Sequence, residues 1–446
     1  MNNNRFYIER QEARESNARS YPRKFPICVA KAKGVHLTDV EGKDYIDFLC
    51  GAGTLALGHN DDDVNKAMMD LLQSGAMLHG LDLITPIKDE FTTTLLESLP
   101  EDFARNSKVH FCAPAGTDAL DAAIKLCKFA TGRRAVISFS GAYHGMGQGP
   151  LAMMGNLHSK EYIPGLMGDV YFMPAPYSYR CPFGVGGEDG DRIAAQYFER
   201  MLKDPESGIV KPACVVIEPI QGEGGVIPMS ANFLKQIRRV TKELEIPLVF
   251  DEVQCGIGRS GDFTAFEFSG IKPDVLCLSK AVGGSQPMAV IVYDKSLDKW
   301  GPGIHAGTFR GTQLAMAAGN CLMKKVRDRK FLDDVKRKGK IFMDHFTSLK
   351  KEVEVIGDVR GRGMMCGIEI VDPKSKPDII GSKSNGGAIA AEIQRKCVEN
   401  GLIMEKGGRD GAVLRCLTAL SIPDTDLNKG IDILTEVIKS VDKSAR

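Results

Sequence analysis

The chain predicts an α/β fold, a mostly parallel central sheet covered by helices on both faces, with a smaller α+β unit built from the two ends of the chain. Three observations predict it. Between residues 109 and 290 short apolar runs alternate with longer amphipathic stretches, as strands returned by helical crossovers do. The runs at 213–217, 246–250 and 275–278 are apolar almost throughout, the pattern of strands buried on both faces. Outside that region the strand runs read as pairs joined by turns, at 35–48 and on either side of 361–363. With 446 residues there is room for two or three domains. The divisions expected are an N-terminal arm with part of the small domain at 1–60, a large domain at 61–325 and a C-terminal small domain at 326–446.

The first 20 residues are polar and read as helical, or unordered until packed. From Tyr21 the text becomes YPRKFP and then GVHLTDVEGKDYIDFLCGAGTLALGH. Residues 35–37 and 45–48 alternate like half-buried strands around a turn at 39–42. Asn60 and Asp61 can cap a helix whose apolar positions are Val64, Ala67, Met68, Leu71 and Leu72. Pro86 opens another helix, reaching 99. A strand at 109–112 leads into PAGTDALDAAIKLCKFATGRR, a long amphipathic helix that starts at Gly116 and Thr117. Free N–H groups and the helix dipole favour a dianion there, although a Gly-Thr start is also common on ordinary helices.

A strand at 136–139 is followed by SGAYHGMG, and residues 175–191 read as a long surface loop rich in Pro, Gly and Tyr. The strand at 213–217 ends in EPIQGEGG, so Glu218 and Glu223 lie beyond a strand end, where acids are ordinarily solvated or used as caps. Asp251 ends the run at 246–250, and Lys280 follows the run at 275–278. Ligands of open α/β sheets sit outside the carboxyl ends of the strands. An acid and an amine delivered there together suit pyridoxal phosphate (PLP). That cofactor needs a lysine for its Schiff base and a carboxylate that keeps its ring nitrogen protonated. A surface salt bridge is the alternative for an arbitrary Asp and Lys.

The text between them settles more. DEVQ, GIGRSG, FEFSGIKPD and SKAVGG, in that order, resemble the signature of the class III, or omega, aminotransferases. The resemblance runs from about residue 15 to 440. It implies PLP fold-type I, with Lys280 carrying the cofactor, Asp251 on the ring nitrogen and Gln254 on the ring hydroxyl. It further implies Gly116 and Thr117 on the phosphate, Tyr143 stacked on the ring with His144 beside it, and Glu218 as framework. Glu223 becomes a substrate-gate residue, and Thr308 of HAGTFRGTQLAMAAG reaches the phosphate of a neighbouring subunit, which implies a homodimer with shared sites, or a tetramer built from it. Ala115 stands where the family usually has serine, Asp118 where it has glutamate, and Ser285 interrupts the usual glycine run. Ala52 lies against the substrate, at a position that is usually tyrosine in ornithine members and often isoleucine in 4-aminobutyrate members. ESNARSYPR with GAGTLALGH is most similar to the diaminobutyrate branch.

In the C-terminal part a charged helix is expected around 324–351, then strands on either side of a turn at 361–363, a helix at 388–400, and strands at 402–404 and 413–416. Arg415, inside an apolar strand, is costly to bury without an anion. A structural Arg–Glu pair would satisfy it, and so would a substrate carboxylate held in two places. The resemblance implies the substrate, although LRCLTAL lacks the prolines of the family's usual ending.

The activity expected is transfer of the terminal amine of L-2,4-diaminobutyrate to 2-oxoglutarate, giving aspartate 4-semialdehyde and glutamate, reversibly. Ornithine or 4-aminobutyrate as donor, or a class III racemase or aminomutase, are the alternatives. No metal is expected. A net charge of +1 argues against partners held by electrostatics, nucleic acid and membrane surfaces included. No apolar run approaches the roughly 20 residues of a membrane helix. Twelve scattered cysteines without a CxxC pair, and no secretory signal, give the expectation of a reducing cytoplasm.

Overall fold

The computed structural model describes residues 3–446; the first two residues of the N-terminal arm lie outside it. Seven strands form the central sheet: β1 (Ser107–Phe111), β2 (Val136–Phe139), β3 (Val170–Met173), β4 (Cys214–Ile217), β5 (Leu248–Asp251), β6 (Val275–Leu278) and β7 (Val290–Asp294). Their spatial order is β1-β7-β6-β5-β4-β2-β3. All pairs from β3 to β6 are parallel, and β7 is antiparallel to both its neighbours. The cause is the length of the connection. Residues 279–289 are too few for a helical crossover, so the chain turns straight back.

Both faces of the sheet are covered, which is why its strands are apolar throughout. Val249, Val275, Cys277 and Ile291 pack against Ala119, Leu120 and Ala123 of the helix Gly116–Thr131. Phe250, Leu276, Leu278 and Val292 face the other way, towards the helices Gly187–Lys203, Ala231–Glu243 and Gln313–Val326. A wholly buried side chain such as Phe250 contributes about 1.5–3 kcal/mol relative to exposure.

The chain ends build two four-stranded sheets. In one, Val29–Lys33, His36–Asp39 and Asp44–Asp47 form a meander, and Leu402–Ile403 joins it in parallel beside Asp44–Asp47. In the other, Ile356–Arg362, Met365–Ile370, Val413–Cys416 and Glu405–Gly407 lie in that order, all antiparallel.

Four local expectations change. The stretch 175–191 is not loop throughout: a short turn at Ser178–Arg180 precedes a helix that already begins at Gly187, with Glu188 and Asp189 favouring its positive end. The charged helix around 324–351 is two, Gln313–Val326 and Arg329–Leu349. Asp328 adopts an extended backbone and accepts the N–H of Phe331 at 3.0 Å, so the chain restarts on a new cap. The strand at 402–404 stops at Ile403, and the chain re-enters the other sheet at Glu405. A final helix, Asp424–Ala445, was not anticipated; it buries Leu427, Ile431, Leu434, Ile438 and Val441 along one face. Among the described residues no helix is long and apolar enough to cross a membrane.

Candidate active site

Asp251 is the last residue of β5 and is almost wholly buried. Its Oδ1 accepts the N–H of Val253 at 3.0 Å, and its Oδ2 shares a 2.8 Å hydrogen bond with Nδ1 of His144. His144 comes from the loop after β2, and its other ring nitrogen, also buried, has no partner among the described residues. The preceding Tyr143 gives its backbone N–H to Oε1 of Glu218 at 2.9 Å, while Oε2 of Glu218 accepts from Gly222, also at 2.9 Å. Burial and the neighbouring Asp251 push the Glu218 carboxyl up to about 7.

The same loop packs on the helix start. Gly145, at φ +118°, leaves no room for a side chain, since a Cβ would lie 2.6 Å from that of Thr117. The N–H of Gly147 is given to Oγ1 of Thr117 at 3.0 Å. Asp118 accepts the N–H of Ala115 at 2.9 Å, so the cap sits one turn inside the helix. This leaves the backbone N–H groups of Gly116 and Thr117, at the start of a 16-residue helix, without partners along the helix.

Lys280 is the first residue of a tight turn beyond β6 and has φ +45°, a backbone conformation that side chains rarely adopt. The turn is held by close contact. Gly284, at φ +58°, lies so near the helix Gln313–Val326 that a Cβ would come 2.3 Å from the carbonyl carbon of Ala318. Ser285 follows at φ +74°, so the serine sits where glycine would be unstrained. Lys280 is partly accessible as a residue, but burial of its amine lowers its pKa, Glu223 opposing this and Arg415 adding to it.

Arg415 is 1% exposed, on the strand Val413–Cys416. Its two terminal nitrogens donate to the two oxygens of Glu223, both at 2.8 Å. Burial would raise the Glu223 carboxyl, but Arg415, with Lys280 and Gln254, outweighs it and holds the group at about 2. Nε2 of Gln254 donates to the carbonyl of Ala52 at 3.2 Å, and its Oε1 is buried without a partner among the described residues. Ala52 itself has φ +57°. Thr308 stands apart, exposed on the loop before Gln313–Val326.

Two neighbouring residues were not anticipated. Glu252, beside Asp251, accepts the N–H groups of Ala265 and Phe266 at 2.6 and 2.7 Å and ties down the 3₁₀ turn Ala265–Ser269. Arg259, in GIGRSG, is buried and donates to the carbonyls of Met364, Thr418 and Gly53, joining both terminal segments to the central sheet. Their signal was present, a charged residue inside an otherwise buried motif.

The residues fit PLP. A desolvated amine suits the aldehyde, a buried acid the ring nitrogen, and the unpartnered Oε1 of Gln254 the ring hydroxyl. The open start of the helix Gly116–Thr131 suits the phosphate.

Comparison with known proteins gives the same direction. The family model described as Aminotransferase class-III matches residues 17–438. The diaminobutyrate–2-oxoglutarate aminotransferase of Rhizobium meliloti (strain 1021) is 48% identical over 442 residues, 99% of this chain and 94% of that protein. Its namesake in Haemophilus influenzae (strain ATCC 51907 / DSM 11121 / KW20 / Rd) is 49% identical over 428 residues, 96% and 94%. The fold is that of an amine transaminase from an uncultivated Pseudomonas species, solved in a PLP-bound form. The TM-score is 0.82 at 22% identity, over 97% of this chain and 98% of that one.

Proposed function

We propose, since the chain belongs to the class III aminotransferases, that it moves the terminal amino group between L-2,4-diaminobutyrate and 2-oxoglutarate, with pyridoxal 5'-phosphate as cofactor. The products are aspartate 4-semialdehyde and glutamate. One observation carries the reading: a buried arginine masked by a glutamate beside a desolvated lysine. A site that takes an α-carboxylate in one half-reaction and an ω-amine in the other needs such a cation, present at one time and covered at the other. The names of the two close relatives support the substrate pair.

When bound, PLP supplies an aldehyde that takes up the amine and a ring that accepts electron density as the adjacent carbon loses its proton. Lys280 anchors it, and its Nζ, once released, moves that proton between the two carbons flanking the nitrogen. Asp251 keeps the ring nitrogen protonated, its second oxygen steadied by His144. Tyr143 covers one face of the ring and fixes its tilt. Gly116 and Thr117 hold the phosphate and Gln254 the ring hydroxyl. Glu218 holds the Tyr143 loop and the 218–222 segment in register.

Diaminobutyrate presents an uncharged methylene where glutamate presents its α-carboxylate. Glu223 covers Arg415 for the first and swings aside for the second. The chain works as a homodimer, with exposed Thr308 offered to the phosphate of the other copy. Exposed Leu83, Ile84 and Phe309, on the same surface as Thr308, support that interface, and twelve free cysteines support a reducing cytoplasm.

The test is glutamate formation from 2-oxoglutarate with diaminobutyrate, ornithine or 4-aminobutyrate as donor. Diaminobutyrate should lead in kcat/KM by at least about tenfold, or 1.4 kcal/mol. Parity with either rival removes the substrate assignment, and turnover without any keto acid would favour a racemase or aminomutase. Borohydride reduction and peptide mapping should find the cofactor on Lys280, and Lys280→Ala should fold but not turn over. Label on another lysine sinks the anchor.

A further inference from the structure

A second pair of charges lies beside the first. Glu405 opens the strand Glu405–Gly407 and stands opposite Arg415 in the antiparallel register, so both side chains leave the same face of the sheet. Glu405 is 1% exposed. Its Oε1 accepts from Nζ of Lys24 at 3.0 Å and from the N–H of Lys406 at 2.9 Å. Its Oε2 is equally buried and has no hydrogen-bond donor among the described residues. A carboxylate oxygen in that position has lost its water without replacement, which is costly unless a ligand completes it.

Lys24, at the end of the short helix Tyr21–Lys24, is partly exposed and lines a cavity of about 790 Å³ together with Tyr143, Glu223 and Arg409. The phenol of Tyr21 is raised by burial, then by the charges of Glu405 and Glu223 and by its approach to the Glu405 side chain, so both acids act on one region.

We propose that Glu405 and Lys24 read the far end of the amine donor: Oε2 of Glu405 accepts from its α-ammonium, and Nζ of Lys24 donates to its α-carboxylate. This rests on the diaminobutyrate reading above and adds the means of discrimination. A donor that reacts through its terminal amine keeps an ammonium and a carboxylate on one carbon. An acid and an amine 3.0 Å apart are the complementary pair. 4-Aminobutyrate has the carboxylate but nothing for Glu405, and a simple diamine has nothing for Lys24. Glutamate, bound through Arg415, places only a carboxylate at this end, so it uses Lys24 and not Glu405.

The experiment compares Glu405→Gln, Lys24→Met and the exchange Lys24→Glu with Glu405→Lys against wild type. Each half-reaction is followed in a single turnover. Calorimetry on the amine-loaded holoenzyme, which cannot react with an amine, measures donor binding alone. Glu405→Gln should weaken diaminobutyrate by at least about tenfold, the loss of a charge-assisted hydrogen bond. It should leave 4-aminobutyrate near its wild-type value and change the glutamate half-reaction far less. Lys24→Met should weaken all three. The exchanged pair keeps its ion pair, so recovery of diaminobutyrate binding there would show a mere tether for the N-terminal arm and overturn the proposal. A Glu405→Gln enzyme that still prefers diaminobutyrate over 4-aminobutyrate as wild type does would overturn it as well. If wild type has no such preference, the substrate reading falls first and this inference with it.

Discussion

Replacing Glu223 by alanine should separate the two half-reactions. Arg415 is 1% exposed and makes both of its carboxylate contacts, at 2.8 Å, to this one residue. Removing one partner of a buried ion pair costs about 3–5 kcal/mol, because the other charge is left without compensation. Two features place the loss near the lower bound. Glu223 is itself a third exposed, and the carboxylate of Glu405 stands across the strand from Arg415. About 3 kcal/mol corresponds to roughly 100-fold in rate. The diaminobutyrate half-reaction bears that loss in full, since its substrate brings no carboxylate to Arg415. In the glutamate half-reaction the α-carboxylate takes the place of Glu223 and no gate has to open, so rate and affinity should hold or improve. Arg415→Ala should give the mirror image, a large loss with glutamate and a small one with diaminobutyrate. Stopped-flow absorbance of the cofactor, one substrate at a time, reads each half. Equal losses in both halves for both variants would reduce the pair to a structural salt bridge.

Asp251→Asn should lower turnover by about 100-fold or more while most of the cofactor stays bound; absorbance and activity on one sample decide, and a wild-type rate would end the ring-nitrogen role. Glu252→Gln should destabilise the chain by about 1–3 kcal/mol, because both oxygens accept backbone N–H groups and an amide turns donors towards one of them. Calorimetry should show a lowered Tm, and an unchanged one would contradict that pairing. The third expectation concerns pH. Glu218 rises from 4.5 to about 7 on folding, so the folded chain keeps this proton where the unfolded chain has lost it. The resulting stability is complete below the unfolded value and fades as pH climbs through the folded one. Urea unfolding of the cofactor-free protein between about pH 5 and 8 should therefore fall more steeply for wild type than for Glu218→Gln, and identical slopes would refute the raised carboxyl.

The central sheet was legible because strands buried on two faces have little choice of residue, and Asp251 and Lys280 stood out by breaking that pattern. The reversal of β7 was not, since an apolar strand reads alike in either direction and only the short return 279–289 decides it. The break at Asp328 hides inside a charged stretch whose periodicity continues on both sides, and only the cap geometry reveals it. Pairings between distant residues were beyond reach for another reason. His144 and Asp251 are 107 positions apart and Lys24 and Glu405 are 381, and nothing in either local text points to the other. The Arg415–Glu223 contact was the exception and was expected, because a buried guanidinium must find an anion and Glu223 was the gate candidate.

Where the groups are mounted has a consequence for descent. Lys280, Asp251 and the helix start at Gly116 stand at or beyond the carboxyl ends of central-sheet strands, whereas Lys24, Ala52, Glu405 and Arg415 are carried by the segments that form the two terminal sheets. A duplicated gene can therefore drift in appetite without relearning its chemistry. On the proposed roles, changes in the terminal segments should alter which amine is admitted, while a single change at the strand ends should silence every donor together. For the same reason, libraries confined to residues 20–55 and 400–416 should yield new preferences on an intact cofactor site more often than libraries spread over the whole cavity.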